Sequence, residues 1–462
     1  MVERLRRSLL YTYGIADLFF ALMINMEAYF FTAFLTDYAQ FSLAITGQIL
    51  GLTSLLDIAC ALAGGVLLQK VALRYGGKYR SWFLVGPPIV APFFILQFTK
   101  IGSDRTAVLI VIFGYIASHL LFNVVVSASG AMVGRLSQLP EERTILSASR
   151  AQGMSAAGLI FSATAMPMIL FFASRTNKIA GFTFTVAVYS LLMILGYWLV
   201  YGITAGRDPY DEVALDASAK KQGQPIAAIA GLVFKNPPLL FLTFAQVFTS
   251  TGIFVITTLA VYYFTYVAGK PALFSLFVLA NSIARLAGTF AAAWIGVRIG
   301  KRQACGIFLM LAAVGFASGC FVSGVPWAFT LFFCVSGMFA AVASALNTAL
   351  FSDTVIYGEW KTGKNIRAFT MALMNLPIKV GVLIRSAIVP IGLMAIGFVA
   401  NAPPTPRVTR GISLIMTLGP AAAYAIAAVI FFLGYRLNET HVLKMQEEIV
   451  ARITSTDPPG QG

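Results

Sequence analysis

The chain has 462 residues, 58% hydrophobic and 11% charged, with a mean hydropathy of +0.82. A soluble domain carries about 25% charged residues, so a deficit spread along nearly the whole length excludes an ordinary soluble enzyme and places the chain in the membrane class. The net charge of +15 is held in short segments between apolar runs, not on one soluble face, which argues against a nucleic-acid binder.

The basic start, with Arg4, Arg6 and Arg7, leads into an apolar stretch too long for a signal-peptide core and without a clear cleavage site, so the first helix is expected to stay. A helix needs about 20 apolar residues to cross the bilayer core. Twelve candidates follow in order: 10–36, 43–69, 82–101, 106–133, 145–173, 180–204, 238–268, 272–297, 304–323, 326–352, 368–399 and 411–435. The expected fold is an all-α membrane protein of twelve transmembrane helices in two six-helix halves. The expected domains are an N-terminal half over 1–204, a linker over 205–237, a C-terminal half over 238–435 and a tail over 436–462.

Short loops carry more Lys and Arg on the cytoplasmic side. Loops on the side of the termini hold 22 such residues, against 7 on the other. Both termini are therefore expected in the cytoplasm, in a multi-pass protein of the plasma (inner) membrane. Cys60, Cys305, Cys320 and Cys334 lie inside or at the edges of apolar runs without a CxxC pair, so neither a metal site nor a disulfide framework is indicated.

Two stretches echo each other. FLTDYAQFSLAITGQIL (34–50) joins the first span to the second, and YFTYVAGKPALFSLFVL (263–279) joins the seventh to the eighth. Related halves suit a transporter built from parallel repeats. Several motifs carry a further resemblance: RYGGKYRSW (74–82) after the second span, PEERTILSASR (140–150) after the fourth, YYFTYVAG (262–269) ending the seventh, and DTVIYGEWKTG (353–363) after the tenth. On these residues the chain resembles the glycoside–pentoside–hexuronide:cation symporters of the major facilitator superfamily, over essentially its whole length. The first motif has one glycine more than the family pattern.

The resemblance implies secondary active transport by alternating access: symport of a small polar solute, a sugar, glycoside or uronide, with Na⁺ or H⁺. It implies no enzyme activity and no cofactor beyond the coupling ion. Partners would be the solute and membrane lipids, and the chain is expected to be a monomer. A lysolipid or other amphipathic-solute transporter of the same fold is the alternative. An intramembrane enzyme would need a dyad or metal ligands on facing helices, and His119 and His441 cannot be placed together from sequence; a non-transporting scaffold is the remaining rival.

An ionisable group inside a span is costly, on the order of 2.5–3.5 kcal/mol on insertion scales, and marks function by default. Asp57 matches the first carboxylate of the family's cation-binding D-x-x-x-D-P pattern, whereas Ala61 and Leu62 replace the second carboxylate and the proline. One carboxylate can still carry a proton, or hold Na⁺ with help from Thr53 and Ser54. Glu27 and Lys379 join Asp57 as coupling candidates; an Asp57–Lys379 ion pair that merely satisfies both is the competing reading.

The candidate cavity residues are Asp17, Glu27, His119, Asn123, Arg150, Arg285, Tyr262 and Lys379, with Tyr29, Tyr263 and Phe264 as further aromatic candidates. Glu27 could serve as a substrate or proton site, or pair with an arginine. Sugar-holding carboxylates of the melibiose-carrying members fall on Ala21 and Val126, so galactoside specificity is not implied; His119 and Asn123 are the nearest polar substitutes. Arg150, Arg285, Lys379 and Arg385 against three carboxylates point to an anionic solute; the competing reading is that the outer members lie near span ends and snorkel to the interface. Arg74, Lys78, Arg80, Arg143, Asp353, Tyr357, Glu359, Trp360 and Lys361 are expected to form a cytoplasmic gate, with DTVIYGEWKTGKN a solvated helix end and loop.

Overall fold

The computed structural model describes residues 4–71, 73, 76–137, 139–208, 235–363 and 373–456. Among these, eleven helices are long and apolar enough to cross a membrane, and a twelfth, Arg80–Leu96, is apolar but only 17 residues long. The chain forms two compact units. Unit 1 comprises Met1–Gln222, Thr257–Ser282 and Ser386–Thr409; unit 2 comprises Gly223–Ile256, Ile283–Arg385 and Arg410–Gly462.

Unit 1 begins with α1 (Arg7–Thr12), α2 (Ile15–Ala33), α3 (Leu43–Lys70) and α4 (Arg80–Leu96), followed by α5 (Asp104–Leu136), α6 (Pro140–Arg175) and α7 (Lys178–Ile203). Helix starts follow local chemistry. Ser42, Ser103 and Asn177 accept from the backbone N–H groups of Ile45, Thr106 and Ala180, capping α3, α5 and α7. Pro140 opens α6 at a position where a missing N–H costs nothing. Helix α2 packs on α6 and α7, and α5 packs on α3 and α4. The α2–α6 approach needs glycine: a Cβ on Gly153 would collide with the carbonyl of Gly14.

The sequence echo has a structural counterpart. Phe34–Tyr38 and Tyr263–Val267 each wind as a π-turn at a helix end. The bonds match: Ala39 N to Phe34 O and Phe41 N to Leu35 O in the first, Ala268 N to Tyr263 O and Lys270 N to Phe264 O in the second. Each turn ends at a left-handed residue, Gln40 at φ 58° and Gly269 at φ 61°. Within unit 1 the two turns meet. The Tyr266 hydroxyl donates to Asp37 Oδ2 at 2.9 Å, and Tyr262 shares a hydrogen bond with the Thr36 hydroxyl at 2.7 Å. Asn401 adds its N–H to Tyr266 and its amide to the Asp37 carbonyl.

The remaining helices are α8 (Pro237–Tyr262), α9 (Leu273–Ile299), α10 (Lys301–Ser318), α11 (Pro326–Thr362), α12 (Leu376–Ala395), α13 (Pro406–Gly434) and α14 (Glu439–Thr456). In unit 2, α11 packs on α10 and α14. The tenth span does not stop near residue 352, as the sequence suggested. It continues through Asp353–Thr362 and ends at Gly363, whose φ of 65° forms the left-handed cap. The polar stretch is thus mostly helix, and Asp353 and Trp360 within it are partnered rather than simply solvated. Lys301 Nζ donates to both Asp353 oxygens, at 3.0 and 2.8 Å, and Trp360 Nε1 donates to Glu448 Oε2 of α14 at 2.6 Å. Lys364 and Asn365 lie outside the described residues.

A comparable clasp within unit 1 is centred on Asp208, just beyond α7. Asp208, 4% exposed, accepts from the backbone N–H groups of Tyr79 at 2.7 Å and Arg80 at 3.0 Å, with Arg135 Nε 3.6 Å away. The extra glycine of the RYGGKYR motif has its reason here. Gly77 sits at φ 107°, and a Cβ there would collide with the Asp208 backbone. Replacing Asp208 with Ala leaves two backbone donors without their acceptor, a loss of about 2–3 kcal/mol. A fall of several degrees in the melting temperature of the detergent-solubilised protein is the expected readout.

Candidate functional site

The span-embedded ionisable residues of unit 1 fall into two clusters. The first joins α2 to α6. Arg150 Nε donates to Asp17 Oδ2 at 3.0 Å and Nη2 to Oδ1 at 2.9 Å, a two-pronged pair in which Asp17 is 3% and Arg150 22% exposed. Tyr13 and Tyr197 lie close to it. Tyr13 donates to the Ser129 carbonyl, and Ser149 Oγ links the Gly14 N–H to the Tyr11 carbonyl. Asp17 and Arg150, both expected as cavity residues, neutralise each other at this junction.

The second cluster runs from α2 through α5 to α3. His119 Nε2 stands 3.3 Å from Glu27 Oε2, with the side chains 3% and 13% exposed. The Tyr115 hydroxyl donates to Glu27 Oε1 at 3.2 Å. The Tyr115 ring stacks on the imidazole with centroids 3.7 Å apart and planes 9° apart, and Phe122 meets it edge-on. Asn123 Nδ2 then donates to the His119 carbonyl at 2.6 Å and to Asp57 Oδ1 at 3.4 Å. Asp57 is 5% exposed. One amide thus connects the carboxylate singled out by the family pattern to a histidine–glutamate pair that the sequence could not assemble. Glu27 and His119 are 92 residues apart, but Glu27, Asp57, His119 and Asn123 share one end of a connected polar chain.

The hydroxyls suggested as helpers of Asp57 also make hydrogen bonds of their own. Thr53 donates to the Ile49 carbonyl at 2.7 Å, and Ser54 bonds to the Ser386 hydroxyl at 2.8 Å. Among the described residues, no group of three or more His, Cys, Asp and Glu side chains could hold a metal ion.

The other candidates have surroundings of their own. Tyr262 is fully buried in the π-turn junction, with Tyr263 and Phe264 buried beside it, while Tyr29 packs on Phe161 and Phe274. Arg285 is half-buried in α9 near Tyr424, and Lys379 and Arg385 lie on α12. Ala21 is buried and apolar, so α2 offers no carboxylate one and a half turns before Glu27.

The expected gate residues are dispersed among local contacts. Lys78 lies over the Tyr79 ring, and Arg80 stacks on Tyr201 at 3.7 Å while donating to its carbonyl. Arg143 donates to the Ser137 and Gly134 carbonyls, Lys361 lies over Tyr357, and the Glu359 carbonyl receives the Gly363 cap. Arg74 lies outside the described residues. Sequence reading missed Asp208, Lys301 and Glu448 as partners. Their signals were present but unspecific: an acid opening the linker, a lysine in RIGKRQ and an acidic tail.

Residues 12–439 match the family described as MFS/sugar transport protein. The chain belongs to that family. It is a major facilitator superfamily transporter of the glycoside–pentoside–hexuronide type, as the sequence motifs implied. The transporter is 27% identical over 447 residues to a putative sulfoquinovose importer of Salmonella typhimurium, covering 95% of this chain and 92% of the relative. It is 26% identical to a putative 2,3-dihydroxypropane-1-sulfonate exporter of Escherichia coli K12, covering 96% and 95%. Among solved structures, a bacterial homologue of the human lysosomal transporter Spinster, inward-facing and unoccupied, superposes with a TM-score of 0.65 at 13% identity, covering 95% and 97%. That likeness establishes the major facilitator fold.

Removing one member of the α2–α6 pair leaves a largely buried charge uncompensated, which costs about 3–5 kcal/mol. Arg150→Ala and Asp17→Ala are each expected to lower the melting temperature sharply. The double substitution, measured the same way, should cost less than the sum of the two.

Proposed function

We propose that this transporter carries a small, hydroxylated, anionic solute, a sugar acid or sulfonated sugar, in symport with a monovalent cation whose charge is taken up at Asp57. The carrying observation is the placement of Asp57: a carboxylate at 5% exposure in the middle of a span, hydrogen-bonded by Asn123. A carboxylate in an apolar span marks function by default, and its oxygens are suited to taking up a cation's charge. Binding of cation and solute then assist each other reciprocally.

Two observations support the anionic solute. Arg285 sits midway along α9, a span with no acidic residue, while the charge of Arg150 is already answered by Asp17. The two relatives named above are described as handling sulfonated compounds. The galactoside-type carboxylates are absent at Ala21 and Val126. The transporter is proposed to work by alternating access of two six-span halves as a monomer in the inner membrane, with both termini cytoplasmic, a reading that the Lys and Arg bias supports.

Proteoliposome uptake of labelled sulfoquinovose and glucuronate tests this reading. The wild type should accumulate at least one of them under a Na⁺ or H⁺ gradient. Asp57→Asn should lower gradient-driven accumulation by about tenfold or more, since it removes the titrating charge, while leaving solute exchange at a reduced rate. Undiminished accumulation by Asp57→Asn would sink the assignment, and a wild type that prefers the matching neutral glycoside would sink the anionic solute.

A further inference from the structure

We propose that Glu27 and His119 form a proton-binding dyad and that the coupling ion is therefore H⁺. The inference rests on the coupled-symport reading above and names the ion and a second site for it.

The hydrogen-bond pattern assigns the protons. Gln97 Nε2 donates to Ser118 Oγ at 2.7 Å, and Ser118 Oγ donates in turn to the Tyr115 carbonyl at 2.9 Å. The hydroxyl proton is thereby committed. His119 Nδ1 faces that same carbonyl at 3.0 Å and Ser118 Oγ at 3.4 Å, both of which can only accept from it. Nδ1 must therefore carry a hydrogen, a tautomer assigned from the network. Nε2 is left facing Glu27 Oε2 at 3.3 Å, and that buried oxygen has no other hydrogen-bond partner. Two lone pairs held face to face repel each other. One further proton, on the imidazole or on the carboxyl, turns the repulsion into a hydrogen bond.

With that proton the dyad has no net charge, and the Oε2–Nε2 contact becomes a hydrogen bond. The stacked Tyr115 ring offers its face to an imidazolium. Few other charges compete. Tyr115 comes from α5 itself, and Asp57 comes from α3 through Asn123. Arg150 of α6 is held by Asp17, α7 carries only Lys178 at its start, and Arg80 of α4 is bound to Tyr201.

The test uses purified full-length protein in proteoliposomes, with sulfoquinovose and glucuronate as solutes and pyranine inside to report pH. Without Na⁺, an inward proton gradient should drive accumulation in the wild type. Solute entry should acidify the lumen by about one proton per solute, and uptake should fall as pH rises through the dyad's titration. His119→Gln keeps a side chain that can hydrogen-bond but not titrate. It should cut proton-driven accumulation by about tenfold or more and leave a slowed solute exchange that no longer varies with pH. Glu27→Gln should do the same.

Retained proton-driven accumulation in His119→Gln overturns the dyad. So does a wild type that accumulates solute only with Na⁺ and moves no protons, an outcome in which coupled symport itself stands. A wild type that exchanges solute but accumulates it under neither gradient overturns both readings. If neither substitution yields folded protein, pyranine in the wild type decides: solute entry without luminal acidification rejects the proposal.

Discussion

The packing of unit 1 depends on the Asp17–Arg150 pair. Neither charge is tolerable alone between apolar helices, and the two-pronged geometry fixes both the distance and the rotation of α2 against α6. Gly14 and Gly153 let the two backbones close up enough for the pair to form. With α2 held at that end, its next polar face, two to three turns on, meets α5 at Tyr115 and His119. The polar chain leading to Asp57 is thus positioned by an ion pair that takes no part in it.

Repetition within the chain is legible at the level of backbone turns. The two π-turns share their hydrogen-bond pattern and their left-handed exits, though they share few side chains. Asp37 and Tyr266 occupy equivalent places in the two turns and bond to each other. An acid and a phenol at matching positions form a complementary contact that two identical residues could not: two aspartates would repel. Divergence of the repeats supplies the complementarity.

Much of the architecture could be read directly from the sequence, because hydrophobic stretches of spanning length survive any detail of packing. Among the described residues a helix falls within each of the twelve expected spans, and the family motifs identified the type of transporter. Helix ends were harder. DTVIYGEWKT reads as a loop because it is polar, yet Lys301, Glu448 and the Gly363 cap hold it in a helix, and those partners lie far away in sequence. The site was half legible. Asp57 stood out by its motif and Glu27 by its charge. The pairing of Glu27 with His119 depends on the mutual rotation of α2 and α5, which composition does not encode. The Asp17–Arg150 match was hidden for the same reason: both residues looked available to a solute, and each is occupied by the other.

Helix α4 has one more consequence. It holds 17 residues and contains Pro87, Pro88 and Pro92. At a rise of 1.5 Å per residue it is about 25 Å long, short of the roughly 30 Å hydrocarbon core. Ile89 on this helix is 40% exposed, so part of the short segment meets lipid rather than protein. Around α4 the bilayer must thin locally or flanking residues must snorkel, at a cost of fractions of a kcal/mol per Å. Bilayer thickness thereby becomes a variable acting on this protein, and short-chain lipids are the better solvent for that flank.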